Sequence, residues 1–359
     1  RIALLLCAAL AALPVAGQHP AAPAPPALEP AGTGGLEAVD RALAQLSAHR
    51  RLLIIGAHPD DEDNRLMALV GRGWGGEAAY LSLSRGEGGQ NLLGTELGTA
   101  LGLVRTGELL AARRIETGRQ FFTRAFDFGY TRSLDEAEER WPREILLEDA
   151  VRVVRRFKPQ VLVAVFPPDE RARHGQHQLS GVISDELYEA AGMPDRYPEL
   201  TREGLPPWQP EAFYRLAWWD RSLATLELPL GAIDPFSGRS VYQISASGRS
   251  MHRTQDMGRI QPIGPHTDAL SWVTGGAGPE GEDLFAGIDT GLSAVAATLA
   301  GGETRRQIEE ELEAGSSWAQ KARGSLSPSS LPQAVPELAR MLRSLRRAAD
   351  LLGGASRPE

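Results

Sequence analysis

The run "QVLVAVFPP", residues 160–168, limits the fold more than any other stretch of the chain. From Val161 to Phe166 it offers no polar residue to face water, so a strand formed here is buried on both faces. Such a strand belongs to a sheet covered by helices on both sides. The preceding sequence supplies the other parts. "RLLIIGA" (51–57), "EAAYLSLS" (77–84) and "QFFTRAF" (120–126) read as further strands. "EDNRLMALVGRG" (62–73), "GTALGLVRTGELLAARRIETG" (98–118) and "PREILLEDAVRVVRRFKP" (142–159) read as helices, the last closed by Pro159. An amphipathic helix over 36–50 comes before the first strand. This alternation predicts an α/β protein. It would have a Rossmann-like, mostly parallel sheet, helices on both faces, right-handed crossovers and a ligand crevice at the carboxyl ends of the strands.

After residue 185 the periodicity loosens. Residues 192–220, rich in Pro and aromatics, read as an ordered loop or lid. Residues 226–247 suggest short strands, and 283–300, 303–324 and 331–353 suggest helices. The α/β domain is expected over 36–225. A C-terminal extension with helices and mixed structure is expected over 226–359, open to continuation into further domains. No internal repeat is visible.

The first residues have another character. "RIALLLCAALAALPVAGQ", residues 1–18, joins a positive residue to an apolar run of about a dozen residues and then small residues, the layout of a secretory signal peptide. Residues 19–35 form a Pro/Ala/Gly linker. Export to the periplasm or outside the cell is therefore expected. The single cysteine, Cys7, lies in the apolar run, so the mature protein would need no disulfide. With 359 residues, 42% of them apolar, the chain has enough material for a core of its own. Its net charge of -8, with scattered arginines, offers no basic face for nucleic acid or an anionic membrane. After cleavage no stable membrane span is expected. No pattern bears on oligomeric state.

The chemistry gathers at two strand ends. The first strand runs into His58, Pro59, Asp60, Asp61, Glu62 and Asp63. A histidine and an aspartate three residues apart can reach one cation from a strand-to-helix turn. Asp60 and Asp63 also suit a helix N-cap and a first-turn acid. The fourth strand runs into "FPPDERARHGQHQLSG" (166–181), which carries His174 and His177, again three apart. Three of the seven histidines thus fall at these two strand ends. Two histidines and one aspartate make a three-ligand site with an open position, the pattern of catalytic zinc. With Zn2+ on His58, Asp61 and His177, a bound water would have a pKa of about 7. Asp60 would take its proton as general base. A protonated His174 would stabilise the oxyanion of a tetrahedral intermediate. Together these roles describe hydrolysis of an amide or ester.

"AHPDDE" after one strand and H-x-x-H after another resemble the PIG-L/LmbE family of zinc-dependent N-acetylsugar deacetylases. "SLSRGEGGQNLLG" (82–94) and "LGLVRTGELLAA" (101–112) are similar in kind to family segments, and "SMHRTQDMG" (250–258) more faintly so. The resemblance implies a Rossmann-like fold, zinc ligands at His58, Asp61 and His177, Asp60 as base, and a substrate carrying an N-acetylated amino sugar, either a small molecule or a glycan. A zinc amidase acting on a non-sugar amide and a non-catalytic carbohydrate-binding protein are the alternative functions. The sequence departs from the family pattern at Gln176. The family often has an aspartate just before the last ligand, where it orients the other imidazole. A neutral amide can orient His174 but not stabilise its charge, so the histidine is weaker or draws on a carboxylate from elsewhere.

Other residues remain open. Arg85 and Glu87 in "SRGEGG" point at the crevice, where Arg85 can hold a sugar hydroxyl, carboxylate or phosphate, or close a turn salt bridge. His252, with Gln255, is a candidate substrate contact at the mouth or a surface turn. The glycines at 86, 88 and 89 lack the G-K-[ST] of a phosphate loop. Arg105 and Glu108 read as one helix face, Trp218 and Trp219 as a sugar platform or core, and His49 and His266 as surface residues.

Overall fold

The structure is a computed structural model that describes residues 34–355, apart from 259, 277, 280, 300 and 328. The expected signal peptide, residues 1–18, and all of the linker but Gly34 and Gly35 lie outside the described residues. No described helix is long and apolar enough to cross a membrane. The described chain divides into two compact units. One spans 51–288 and the other joins 34–50 to 289–355.

The larger unit is built on β1 (Arg51–Gly56), β2 (Glu77–Ser82), β3 (Arg119–Phe122), β4 (Val161–Ala164), β5 (Ala212–Leu216), β6 (Leu226–Pro229) and β7 (Thr267–Gly275). They form one sheet in the order β3-β2-β1-β4-β5-β7-β6. The first five run parallel, and β7 pairs antiparallel with both β5 and β6. Alternation along the strands assigns the core. Leu52, Ile54, Tyr80, Val161 and Val163 join one apolar cluster, and Leu53, Ile55, Leu81, Leu162 and Ala164 join another. The first cluster also takes Leu66 and Met67 of a short helix (Asn64–Ala68), Leu109 of a long one (Thr99–Glu116) and Ile244 of Val241–Arg249. The second takes Leu147, Val151 and Val154 of Arg143–Phe157, with Leu179, Ile183 and Leu187 of Gly175–Ala190. The fully apolar strands are thus the central ones, sealed on both faces.

The sheet extends past the expected domain end at 225, because β6 and β7 continue its hydrogen bonding, and the compact unit reaches Ile288. Residues 192–220 are not simply a lid. They hold a short helix, Pro198–Arg202, and β5, whose "AFYRL" is too short to show a period beside the prolines around it. Residues 283–300 do not form one helix. Gly287, with φ 74°, interrupts them, and only Leu292–Thr298 is helical, in a tight 3-10 form. Val241–Arg249 is a helix opened by a capping box in which Ser240 and Gln243 bond each other's backbone N–H, at 3.2 and 3.1 Å.

A staple holds the far end of the helix Gly175–Ala190. Arg155 is fully buried and donates to the backbone oxygens of Ala191 (3.1 Å), Met193 (2.8 Å), Arg196 (2.7 Å) and Tyr197 (3.2 Å). A planar fork with five N–H groups suits this cluster of loop carbonyls.

The smaller unit packs Gly35–Ser47 with two long helices, Glu303–Gly324 and Leu331–Ala355. Leu43 meets Ala319 and Ala322, while Ile308 and Leu312 meet Leu345 and Ala348. Gly315 allows close approach: a Cβ there would lie 2.8 Å from Leu345. Arg323 grips Asp40 with two bonds of 2.8 and 3.0 Å.

Candidate active site

Chain order reverses between β1 and β4. From β1 the chain moves outward through β2 to β3, and from β4 it moves the other way to β5. A crevice at the carboxyl ends of such a strand pair is where α/β sheets bind ligands. Both sequence motifs open there. Gly56 ends β1 because nothing larger fits: a Cβ would stand 3.0 Å from the Asp61 Cβ and touch the Tyr80 ring. The Tyr80 hydroxyl donates to the His58 carbonyl at 2.6 Å. Asp61 Oδ2 accepts the backbone N–H groups of Ala57 (3.0 Å) and His58 (2.7 Å), which fixes the turn.

His58, Asp61 and His177 meet. His58 Nδ1 lies 3.2 Å from His177 Nε2 and 3.4 Å from Asp61 Oδ2, and His177 Nε2 lies 3.5 Å from Asp61 Oδ1. It is the one group of three or more metal-capable donors found among the described residues. The fit to a metal is direct. Tetrahedral zinc with bonds of about 2.0–2.2 Å separates its ligand atoms by roughly 3.3–3.5 Å. Without a cation, charge settles the protonation states. Burial alone would raise Asp61, but the charges and N–H groups of His177 and His58 outweigh it and hold it at about 2. Burial pushes His177 down to about 4. Burial also works to lower His58, but Asp61 more than compensates and raises it. The His177 ring stacks on Phe166 at 3.9 Å and an angle of 9°, which sets its plane.

Asp60 stands apart from that triad. It sits at φ 85°, in the left-handed region that an aspartate enters at a cost. Its carbonyl accepts from Arg249, its N–H donates to Glu62 Oε2 at 2.9 Å, and its Oδ1 accepts from Arg105 at 2.8 Å. Burial pushes the carboxyl up to about 6. Arg105 works against that rise and Asp61 adds to it. Arg105 itself is buried and also donates to the Pro59 and Gly86 carbonyls, at 2.6 and 3.0 Å. Gly86, at φ 72°, and Gly89 lie against its guanidinium, where a Cβ at either position would collide with it. The glycine-rich turn therefore houses an arginine, and Arg105 does more than complete a helix face.

His174 caps the N-terminus of Gly175–Ala190. Its Nδ1 accepts the Gln176 N–H at 3.2 Å and lies 3.4 Å from Thr131 Oγ1. A ring nitrogen that accepts leaves the proton of neutral imidazole on Nε2. Burial, then the charge of His58, lowers His174 to about 4, and a helix N-terminus disfavours a cation as well. The expected imidazolium is thus corrected to a neutral ring with an Nε2–H to donate. Gln176 departs from expectation too. Its side chain reaches His58 rather than His174, with Oε1 3.0 Å from His58 Nε2. Its Nε2 donates to Asp127 Oδ1 at 3.1 Å. Burial raises Asp127, but His58, the Gly129 N–H and the Gln176 amide bring it below its ordinary range.

The three expected substrate contacts are placed otherwise. His252 is fully buried and bonds Glu62 Oε1 at 2.6 Å, so it lies behind the turn and not at a mouth. Glu62 Oε1 also receives Arg113 at 2.9 Å, and Arg113 donates to Glu116 Oε2 at 2.6 Å. Glu87 is buried and spends Oε2 on the N–H groups of Arg85 and Asp127, at 3.2 and 3.0 Å. Arg85 lies over Phe122, 4.0 Å from the ring centre, and donates to Thr106 Oγ1 at 3.1 Å. It makes no turn salt bridge among the described contacts. Gln255 is buried and donates to Gln90, and Glu108 accepts from Thr254. Trp219 packs on Phe166, whereas Trp218 is exposed beneath Arg65. His266 stacks on Tyr242 at 3.7 Å, and His49 is half-buried.

Sequence reasoning missed Asp127, Thr131 and Tyr130, which come from the irregular stretch between β3 and β4. Tyr130 is exposed and stands edge-on to the His174 ring at 4.8 Å. A short acid-aromatic stretch with no period carried no signal for them.

Fold and site together define a doubly wound α/β protein with a three-donor metal site at its strand ends. Residues 53–188 match the model of the PIG-L family, described as GlcNAc-PI de-N-acetylase, and through them the chain belongs to that family. A solved structure similar to the chain is N,N'-diacetylchitobiose deacetylase from Pyrococcus horikoshii complexed with its inhibitor MPG. The two are 17% identical, with a TM-score of 0.44 over 57% of this chain and 70% of that one.

Proposed function

We propose that the protein is a zinc-dependent hydrolase that removes the acetyl group from an N-acetylglucosamine-type amino sugar. The observation that carries the reading is a triad of donor atoms 3.2–3.5 Å apart, beside a carboxylate that is not one of them. Membership in a family described by a de-N-acetylase supports it. His58, Asp61 and His177 would hold the zinc, which supplies an acidified water and polarises the acyl oxygen.

The chain's own groups do the rest. Arg105 holds Asp60 Oδ1 and leaves Oδ2 to accept the proton of the attacking water. A carboxyl lifted toward 6 by burial is a stronger base than an ordinary aspartate and can pass that proton to the departing amine nitrogen. The His174 Nε2–H donates to the oxyanion as the acyl carbon becomes tetrahedral. The C–N bond breaks, giving acetate and free amine. Tyr130 offers an exposed ring face beside His174 on which a sugar can stack. Export of the mature chain after cleavage near residue 18 belongs to the same proposal, and N-terminal sequencing of the protein from its host checks it.

The test is amine release from a panel of N-acetylated amino sugars by the purified protein, with zinc content measured alongside. About one zinc per chain with turnover of at least one sugar is expected. Zinc binding with turnover only of non-sugar amides would move the substrate class. Sugar binding without turnover, equal in Asp60→Asn, would leave a binding protein. No retained zinc would overturn the reading.

A further inference from the structure

We infer that Asp127 and Gln176 are positioning residues that select Nδ1 of His58 as the metal-binding atom. The inference rests on the zinc-hydrolase reading for its purpose but not for its geometry. Asp127 and His58 do not touch through any described hydrogen bond. Gln176 stands between them, with its amide nitrogen 3.1 Å from Asp127 Oδ1 and its amide oxygen 3.0 Å from His58 Nε2. Gln176 and Asp127 are both buried.

The order of donors and acceptors permits one arrangement. A carboxylate only accepts, so Asp127 must face the NH2 end of the Gln176 amide. The Gln176 oxygen must then face His58. An amide oxygen only accepts, so His58 Nε2 must carry a hydrogen. In the neutral ring this leaves the lone pair on Nδ1, the atom 3.4 Å from Asp61 Oδ2 and 3.2 Å from His177 Nε2. Asp127 is in turn held by backbone. Its N–H donates to Glu87 Oε2 at 3.0 Å, and its Oδ1 accepts the Gly129 N–H at 3.0 Å. The buried Glu87 thus has a task although it lies away from any substrate: it fixes the residue that fixes the amide. Inserting an amide between carboxylate and imidazole also changes the charge. The negative group is set back by one side chain, so the ligand is oriented without a full carboxylate against it.

The first readout is the ring 15N spectrum of His58 in metal-free wild-type protein, at a pH above its titration, assigned by its loss in His58→Asn. Hydrogen on Nε2 is expected, and hydrogen on Nδ1 overturns the inference even if no variant folds. The second is zinc affinity by chelator competition. Asp127→Asn can turn either end of its amide toward Gln176, so the polarity of the chain is lost. It should weaken zinc binding about 10- to 100-fold. Gln176→Glu alone sets two carboxylates face to face and should weaken it as well. The double variant Asp127→Asn with Gln176→Glu restores an unambiguous chain, and zinc affinity should recover to within a few-fold of wild type. Loss of packing alone predicts additive losses in the double variant. Additive losses, or an Asp127→Asn protein with unchanged zinc affinity, would overturn the inference. If wild type binds no zinc but shows Nε2–H, the hydrolase reading fails and the positioning geometry stands.

Discussion

The turn after β1 has an open side and a closed side, and four consecutive acidic residues divide between them. On the open side, Asp60 and Asp61 face the strand-end crevice. Asp61 answers to two imidazoles and is held at about 2, while Asp60 answers to a single close guanidinium on its carboxylate and rises to about 6. On the closed side, Glu62 sits fully buried between Arg113 and His252. Asp63, equally sealed, caps the helix Asn64–Ala68 by accepting from Arg65 (2.8 Å) and Leu66 (3.2 Å). Burial works to raise both, but their partners win and both are lowered. Like residues in one sequence run therefore acquire different chemistry from the groups folding brings to them. The open side is arranged for reaction and the closed side for support.

If that division is sound, Asp60→Asn should lower kcat about 10²- to 10⁴-fold while zinc content and the urea midpoint stay near wild type. A large stability loss instead would mean that Asp60 belongs to the support. Arg113→Met should do the reverse. Removing the cation leaves Glu62 and Glu116 buried together, at a cost of about 3–5 kcal/mol in unfolding free energy. A variant that unfolds like wild type would break the comparison from the closed side. His174→Ala should keep its zinc and lose about 10²- to 10³-fold in kcat, as loss of one oxyanion donor does. Because the ring is neutral already, the basic limb of the wild-type pH–rate profile should not report His174.

The smallest effect is also the most diagnostic. Asp60 in the metal-free fold keeps its proton up to about pH 6, whereas in the unfolded chain it ionises near its ordinary value of 3.8. Between those values the unfolded state binds fewer protons, so stability falls as pH rises. Asp60→Asn should remove this slope and, relative to wild type, gain on the order of 2 kcal/mol from pH 4 to pH 6. Asp61 has the opposite sign. Its contribution is present above about pH 4 and lost as pH falls through about 2. Urea melts of both proteins across pH 2–7 separate the two.

The triad was legible because each donor lies within a few residues of a strand whose apolar run announces itself. His58 and Asp61 follow β1 directly, and His177 follows β4 at the start of a helix. Arg105, Asp127 and His252 were not legible in their true places, since each meets its partner across 45 to 190 residues of chain. Nothing local distinguishes a histidine buried against a glutamate from one at a surface turn, and "SMHRTQDMG" reads as the latter. The fold shows the same limit. Strands separated by helices declared themselves, while β5, β6 and β7 depend on pairing with neighbours more than on any period of their own.

The Arg155 staple has a mechanical meaning for the metal site. The helix Gly175–Ala190 carries His177 in its first turn and delivers its last residues to that arginine. A rod held at one end can slide or rotate about its axis, but one clamped at both ends keeps its register. One residue of slip would shift His177 by about 1.5 Å and turn it by roughly 100°, far more than donors 3.5 Å apart can tolerate. The tolerance of the metal site is thus set partly at the opposite end of the helix, where no ligand is bound and no reaction occurs.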